Sequence, residues 1–199
     1  MGVTRIFDIV FSLLGLVILC PVLFVIIILI KSTSKGKVFF PQLRVGQFGR
    51  DFKVLKFRTM FINAENKGFL TVGEKDNRIT KIGYYLRKYK LDELPQLINV
   101  LKGEMSIVGP RPEVRKYVDL YTDEQKKVLD VLPGITDYAS IVFRNENDLL
   151  ASKDNPEEFY IKELIPKKNN LNFKYINNPS LIEYFSIIQK TFVTALKGR

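Results

Sequence analysis

Two adjacent carboxylates, Asp92 and Glu93, stand in a stretch otherwise rich in cations. Arg87, Lys88 and Lys90 precede them, and Leu94-Pro95-Gln96 follows. An aspartate is ionised at neutral pH, with an ordinary pKa of about 3.9, so it can attack phosphorus without a base. Carboxylates among cations also suit a magnesium ion and a polyphosphate. The plain alternative is a helix N-terminus, where acidic side chains cap free backbone N–H groups. Other motifs could act on phosphate. Arg111 lies in Gly109-Pro110-Arg111-Pro112, where prolines stiffen the backbone and the guanidinium fork matches phosphate oxygens. Lys56 and Arg58, in Lys56-Phe57-Arg58-Thr59-Met60, alternate onto one face at the end of an expected strand. Arg144 follows the turn-forming Pro133-Gly134-Ile135-Thr136. With Arg87, these are the candidate substrate-binding cations. Each also has a plain reading, as a connector, the polar face of a half-buried strand or a turn. One spacing fails outright. Gly68 to Gly73 has P-loop glycines, but Glu74 stands where lysine is needed and Lys75 is followed by Asp76.

The composition narrows the chemistry further. The 199 residues contain no histidine and one cysteine, Cys20. That removes histidine triads, histidine metal sites, an intrachain disulfide and a structural zinc site. With 46% apolar and 26% charged residues the chain can bury a core. Lys and Arg number 31 against 21 Asp and Glu, a net charge of +10. Such a surplus suits a polyanion: nucleic acid, an anionic membrane surface or a phosphorylated substrate.

The elements that must position these residues begin with an apolar run from Ile6 to Ile30, interrupted by Asp8, Ser12, Gly15 and Pro21. As a helix it would extend roughly 37 Å, enough to cross a hydrocarbon core of about 30 Å. A cleaved signal peptide fits poorly, because the run is long and ends in Lys31. A simple spanning helix is opposed by two features. Pro21 lies well inside the run, and basic residues flank both ends, Arg5 on one side and Lys31, Lys35 and Lys37 on the other. A helix that enters, bends near Cys20-Pro21 and returns satisfies both. Beyond Lys31 the composition becomes that of a water-exposed domain. Val38 to Leu43 and Phe52 to Phe57 are expected to pair as a hairpin across a glycine-rich turn. Apolar spacing predicts helices over Arg78 to Lys90, Leu94 to Leu101 with Gly103 as stop, and Thr122 to Leu132. Asn145 to Pro156 reads as a polar loop. Pro179-Ser180 opens a C-terminal amphipathic helix that either packs on the domain or lies in a membrane interface. The expected fold is α+β: a re-entrant membrane helix over residues 1–31, then a compact helix-rich domain over 32–199. That domain carries a small β-hairpin and interfacial amphipathic helices.

Taken singly these motifs are weak, but their order is specific. An apolar segment with an internal proline, then K-F-R-T-M, D-E-L-P-Q, G-E-M-S-I-V-G-P-R-P and P-G-I-T, resembles the bacterial sugar transferase family, the monotopic phosphoglycosyl transferases. The resemblance runs from about Arg5 to Arg144. It implies transfer of a sugar 1-phosphate from a UDP-sugar to undecaprenyl phosphate, with release of UMP. It further implies magnesium and a ping-pong route through a covalent aspartyl phosphosugar. The nucleophile maps onto Asp92, its partner in the dyad and at the metal onto Glu93, the substrate-binding arginine onto Arg111 and the helix-breaking proline onto Pro21. The expected location is the cytoplasmic face of the bacterial inner membrane, among lipids and with no role for nucleic acid; a homodimer is left open. Asp137-Tyr138-Ala139-Ser140 departs from the Gly-Trp-Ala-Gln of many members, which leaves the sugar unspecified. Two other readings compete: a membrane-anchored basic binding module without catalysis, and a hydrolase of nucleotide sugars.

Overall fold

The structure, a computed structural model, describes residues 2–62 and 76–196. The Gly68–Gly73 spacing therefore lies outside the described residues. Helix α1 (Val3–Thr33) is unbroken through Pro21, and it runs past Lys31, where the sequence reading ends it. By length and composition it could cross a membrane, although no membrane is present. Its faces are reversed relative to a helix of a water-soluble protein. Asp8 and Ser12 are buried, whereas Ile6, Val17, Ile18 and Phe24 are all more than 60% exposed. In its first half polar side chains thus turn toward protein, and apart from Ile26 and Ile30 its apolar ones mostly face away, which fits membrane association.

Strands β1 (Phe39–Val45) and β2 (Asp51–Phe57) form the expected antiparallel hairpin, with Phe40 opposite Lys56. Thr80 caps helix α2 (Lys81–Lys88), its hydroxyl accepting from the Gly83 N–H at 3.0 Å. The helix is shorter at both ends than apolar spacing suggests, because the cap fixes its start and Lys90, at φ 57°, turns the chain away. A 3₁₀ turn, Leu91–Glu93, then leads to α3 (Gln96–Lys102), which Gly103 ends in the left-handed conformation at φ 83°. The core beneath these elements is built by Ile26, Ile30, Val38, Phe57 and Leu86.

Strand β3 (Ser106–Val108) leads into the Pro110-Arg111-Pro112 segment and pairs in parallel with β4 (Gly134–Thr136), a contact that the sequence reading does not anticipate. The two backbones approach closely. A Cβ on Gly134 would lie 2.1 Å from the Gly109 nitrogen, so only glycine fits. Between them lie short helices α4 (Arg115–Val118) and α5 (Asp123–Lys126), the latter with a Thr122–Gln125 capping box. The helix expected to reach Leu132 ends early, in a 3₁₀ turn over Lys127–Asp130, and the chain is already extended at Val131, two residues before Pro133.

Helix α6 (Tyr138–Val142) is capped by Asp137. Helix α7 (Glu146–Ala151) corrects the expected polar loop: Leu150 is 1% exposed in a core with Tyr117, Tyr160, Leu164 and Ile165, and that burial outweighs the polar local sequence. Helix α8 (Pro156–Phe159) continues through a π-helical stretch, Tyr160–Leu164, into α9 (Ile165–Asn177), which the sequence reading passes over. Helix α10 (Leu181–Leu196) forms as expected. It buries Tyr184 and Ile187 against Val108 and, at its edge, Phe7 of α1.

Candidate active site

All seven candidate residues of the domain line one groove of about 1440 Å³: Lys56, Arg58, Arg87, Asp92, Glu93, Arg111 and Arg144. Arg87 comes from the last turn of α2 and Arg58 from the residue after β2, and four elements bring the other five. Strand β2 presents Lys56, the turn after α2 presents Asp92 and Glu93, the loop after β3 presents Arg111, and the loop after α6 presents Arg144. Asn99 of α3 braces strand β2, donating to the Lys53 carbonyl at 2.8 Å and accepting from the Leu55 N–H at 2.9 Å.

The two carboxylates differ sharply. Glu93 is locked. Its Oε1 accepts from Lys56 Nζ at 3.2 Å, and both of its oxygens pair with the Arg111 guanidinium, Oε2 at 3.0 Å from Nη1. Burial alone would push the Glu93 carboxyl up, but Arg111 and Lys56 outweigh it and hold the group well below the usual range. Asp92 is 8% exposed and has no hydrogen bond or ion pair among the described residues. Its pKa is raised, first by burial and then by the neighbouring Glu93, against the pull of Lys56 and Arg87. The arrangement is a fixed anion caged by cations beside a second carboxyl group that lines the groove without a partner among the described residues.

The surrounding cations are tuned by the same burial. Lys56 falls from 10.5 to about 8, mainly through desolvation, with Glu93 opposing. Arg87 is lowered by burial, and Asp92 opposes that shift. Arg111 is raised, chiefly by Glu93. The pairing of Arg111 is a finding of the fold: its guanidinium meets Glu93, while its backbone N–H donates to Asp137 Oδ2 at 3.1 Å. Arg58 is placed otherwise. It donates to the Ser34 carbonyl and hydroxyl, both at 2.8 Å, and to the Lys35 carbonyl, so it clamps the exit of α1 and stays apart from Asp92. Arg144 donates to the Thr194 carbonyl and ties the groove to α10.

The sequence reading misses Asp137 as a brace, although Thr136-Asp137 ahead of a short helix is a legible N-cap signal. It also misses Thr136–Thr191, 2.7 Å apart, for which no local signal exists. Among the described residues no three acidic or thiol side chains gather as a metal cage. Magnesium, however, commonly takes one or two carboxylates, several waters and substrate phosphates. Asp92 fits that mode, and Glu93 fits it only by releasing Lys56 or Arg111.

Comparison with known proteins gives this geometry its relatives. A model of the bacterial sugar transferase family matches residues 1–198. A UDP-N-acetylgalactosamine-undecaprenyl-phosphate N-acetylgalactosaminephosphotransferase from Aeromonas hydrophila is 37% identical over 96% of this chain and 43% of its own length. A UDP-glucose:undecaprenyl-phosphate glucose-1-phosphate transferase from Klebsiella pneumoniae is 40% identical over 98% of this chain and 39% of its own. A putative undecaprenyl-phosphate N-acetylgalactosaminyl 1-phosphate transferase from Bacillus subtilis is 41% identical over 68% and 72%. The chain thus spans less than half the length of the first two. A family model matched along nearly every residue, together with the dyad and its cations in one groove, establishes that the chain belongs to the bacterial sugar transferase family.

Proposed function

We propose that this chain is a phosphoglycosyl transferase, moving a sugar 1-phosphate from a UDP-sugar to undecaprenyl phosphate and releasing UMP. The observation that carries the reading is the asymmetry of the dyad: Glu93 held by Lys56 and Arg111, Asp92 unpaired at the groove. In the first step a carboxylate oxygen of Asp92 attacks the phosphorus that bears the sugar. The bond from that phosphorus to the bridging oxygen breaks, and UMP leaves with the electron pair. In the second step an oxygen of undecaprenyl phosphate attacks the same phosphorus, and the Asp92 carboxylate is restored. Neither step needs a histidine as base: Asp92 attacks as its carboxylate, which burial and Glu93 disfavour and Lys56 and Arg87 favour, and the lipid phosphate brings its own negative charge. Glu93 keeps Lys56 and Arg111 at the groove wall, where they and Arg87 attract the diphosphate. Asp92 would help to hold a magnesium ion, which would supply charge neutralisation when bound.

The membrane helix supports a re-entrant, one-sided arrangement. Near one end of α1, Arg5 and Asp8 hydrogen-bond to α3 and β3; near the other, Ile26 and Ile30 pack with Val38, Phe57 and Leu86. Both ends therefore rest on one domain, whereas a bilayer-crossing helix separates its ends by the hydrocarbon. Pro21 lies between the two contacts and removes a helix hydrogen bond there. The exposed apolar residues between them then sit in lipid, and the groove lies at headgroup level on the cytoplasmic side of the inner membrane.

The test is UMP release by detergent-purified protein with magnesium, undecaprenyl phosphate and a panel of UDP-sugars. Sustained turnover that requires the lipid and is lost in Asp92→Asn is the expected result, with at most one UMP released per enzyme when the lipid is left out. Multiple-turnover release without lipid would convert the reading to a hydrolase. Equal release by Asp92→Asn would remove Asp92 as nucleophile.

A further inference from the structure

Asp8 is a carboxylate inside the most apolar segment of the chain, and it is 2% exposed. An ionisable side chain in a lipid-directed helix is unfavourable unless protein holds it, so its partners carry information. They come from two distant places. Oδ1 of Asp8 accepts from the Ser106 hydroxyl at 3.1 Å, the Ile107 N–H at 2.9 Å and the Tyr184 hydroxyl at 2.8 Å. Ser106 and Ile107 belong to β3, whose next residues run directly into Arg111; Tyr184 belongs to α10. One turn earlier, Arg5 donates to the carbonyls of Val100 at 2.6 Å, Leu101 at 3.2 Å and Met105 at 3.4 Å. Val100 and Leu101 lie in the last turn of α3, the helix that follows Asp92 and Glu93, and Met105 directly precedes β3.

We infer that the first two turns of α1 form part of the active-site framework, with Asp8 as a positioning residue that sets β3 and so delivers Arg111 to Glu93. Arg5 fixes the helix behind the dyad while Asp8 fixes the strand behind Arg111, and both act from the same face of one rigid helix. Seating α1 against the domain thereby aligns the two halves of the Arg111–Glu93 pair. Helix α10 closes the arrangement from the other side, through Tyr184 on Asp8 and Thr191 on Thr136 of β4. The inference rests on the proposed transferase reading for its kinetic arm only.

The experiment uses the full chain in detergent, with wild type beside Asp8→Ala and Asp8→Asn. The kinetic arm measures UMP release with undecaprenyl phosphate and the UDP-sugar panel. The structural arm measures amide hydrogen exchange in residues 92–95 and 108–111, with residues 146–151, which pack in a separate core around Leu150, as reference. Displacement of a reacting group by about 1 Å can lower a rate on the order of 100-fold. Asp8→Ala is expected to lower kcat at least about tenfold and to raise donor KM as Arg111 loosens, and to raise exchange in both segments but not in the reference. Asp8→Asn keeps an oxygen acceptor and is expected to restore both readouts close to wild type. A folded Asp8→Ala with wild-type kcat and exchange would overturn the inference, as would exchange raised equally everywhere. If Asp8→Ala fails to fold, Tyr184→Phe removes one donor only. Raised exchange confined to 92–95 and 108–111 then supports the inference, and unchanged exchange there overturns it. A wild type silent with every donor would count against the transferase reading, and the exchange arm would still judge Asp8.

Discussion

Lys56 gives the most searching prediction, because the structure makes its activity and stability effects run in opposite directions. Its ammonium group is 18% exposed and 3.2 Å from Glu93, with Arg111, Asp92 and Arg44 acting on it as well. Burial dominates and brings its pKa from 10.5 to about 8. At 1.36 kcal/mol per pH unit, that displacement means that holding the charged form costs the folded state on the order of 3 kcal/mol. The sign follows from the two pKa values. Below about 8 the lysine is charged in both states, and the folded state bears the whole cost; as pH rises from about 8 to 10.5 the cost disappears. This group alone therefore makes the protein more stable over that interval. Turnover moves the other way. Deprotonated Lys56 no longer balances Glu93 or attracts the diphosphate, so kcat/KM for the UDP-sugar falls above about pH 8. Lys56→Arg keeps a cation that does not titrate in this range, and it is expected to abolish both the alkaline fall in kcat/KM and the alkaline gain in stability. The assays are UMP release and denaturant unfolding of the same preparations between pH 6 and about 10.5, a range set by the ordinary lysine value. A Lys56→Arg enzyme that still loses activity around pH 8 would refute the reasoning and assign the titration to another group.

Further predictions concern the frame around the dyad. Arg58→Ala leaves the Ser34 and Lys35 carbonyls without their donor, and a loss of about 2–4 kcal/mol in unfolding free energy is expected, with donor KM unchanged in the folded fraction. A raised KM without a loss of stability would instead make Arg58 a substrate ligand. Gly134→Ala sets a methyl group against the Gly109 backbone and is expected to part β3 from β4, measured as lost turnover together with a lower unfolding midpoint. Removing magnesium with a chelator is expected to abolish UMP release, and adding magnesium back to restore it; full activity without the ion would eliminate the metal-assisted route.

Several features were legible in the sequence for identifiable reasons. The hairpin, α3 with its Gly103 stop and α10 were legible because strand alternation, a left-handed cap and apolar spacing are local signals. The length and apolarity of α1 were legible for the same reason. Glycine and proline marked where elements end, although capping by Thr80 and the turn at Lys90 moved the bounds of α2. Helix α7 was not legible, because Leu150 gains its partners Tyr117 and Tyr160 only from elsewhere in the chain.

The site divides in the same way. Residue types determined the chemistry on offer: a histidine-free chain with Asp92, Glu93 and a set of cations can manage phosphoryl transfer with anionic nucleophiles. Tertiary structure decided who pairs with whom. It spent Arg58 on the exit of α1, locked Arg111 and Lys56 onto Glu93, and left Asp92 unpaired among the described residues. It also turned Asp8 inward, onto β3 and α10. Such pairings join positions up to 176 residues apart, and no local pattern encodes them. They follow from the need to satisfy each buried charge once the apolar elements have packed.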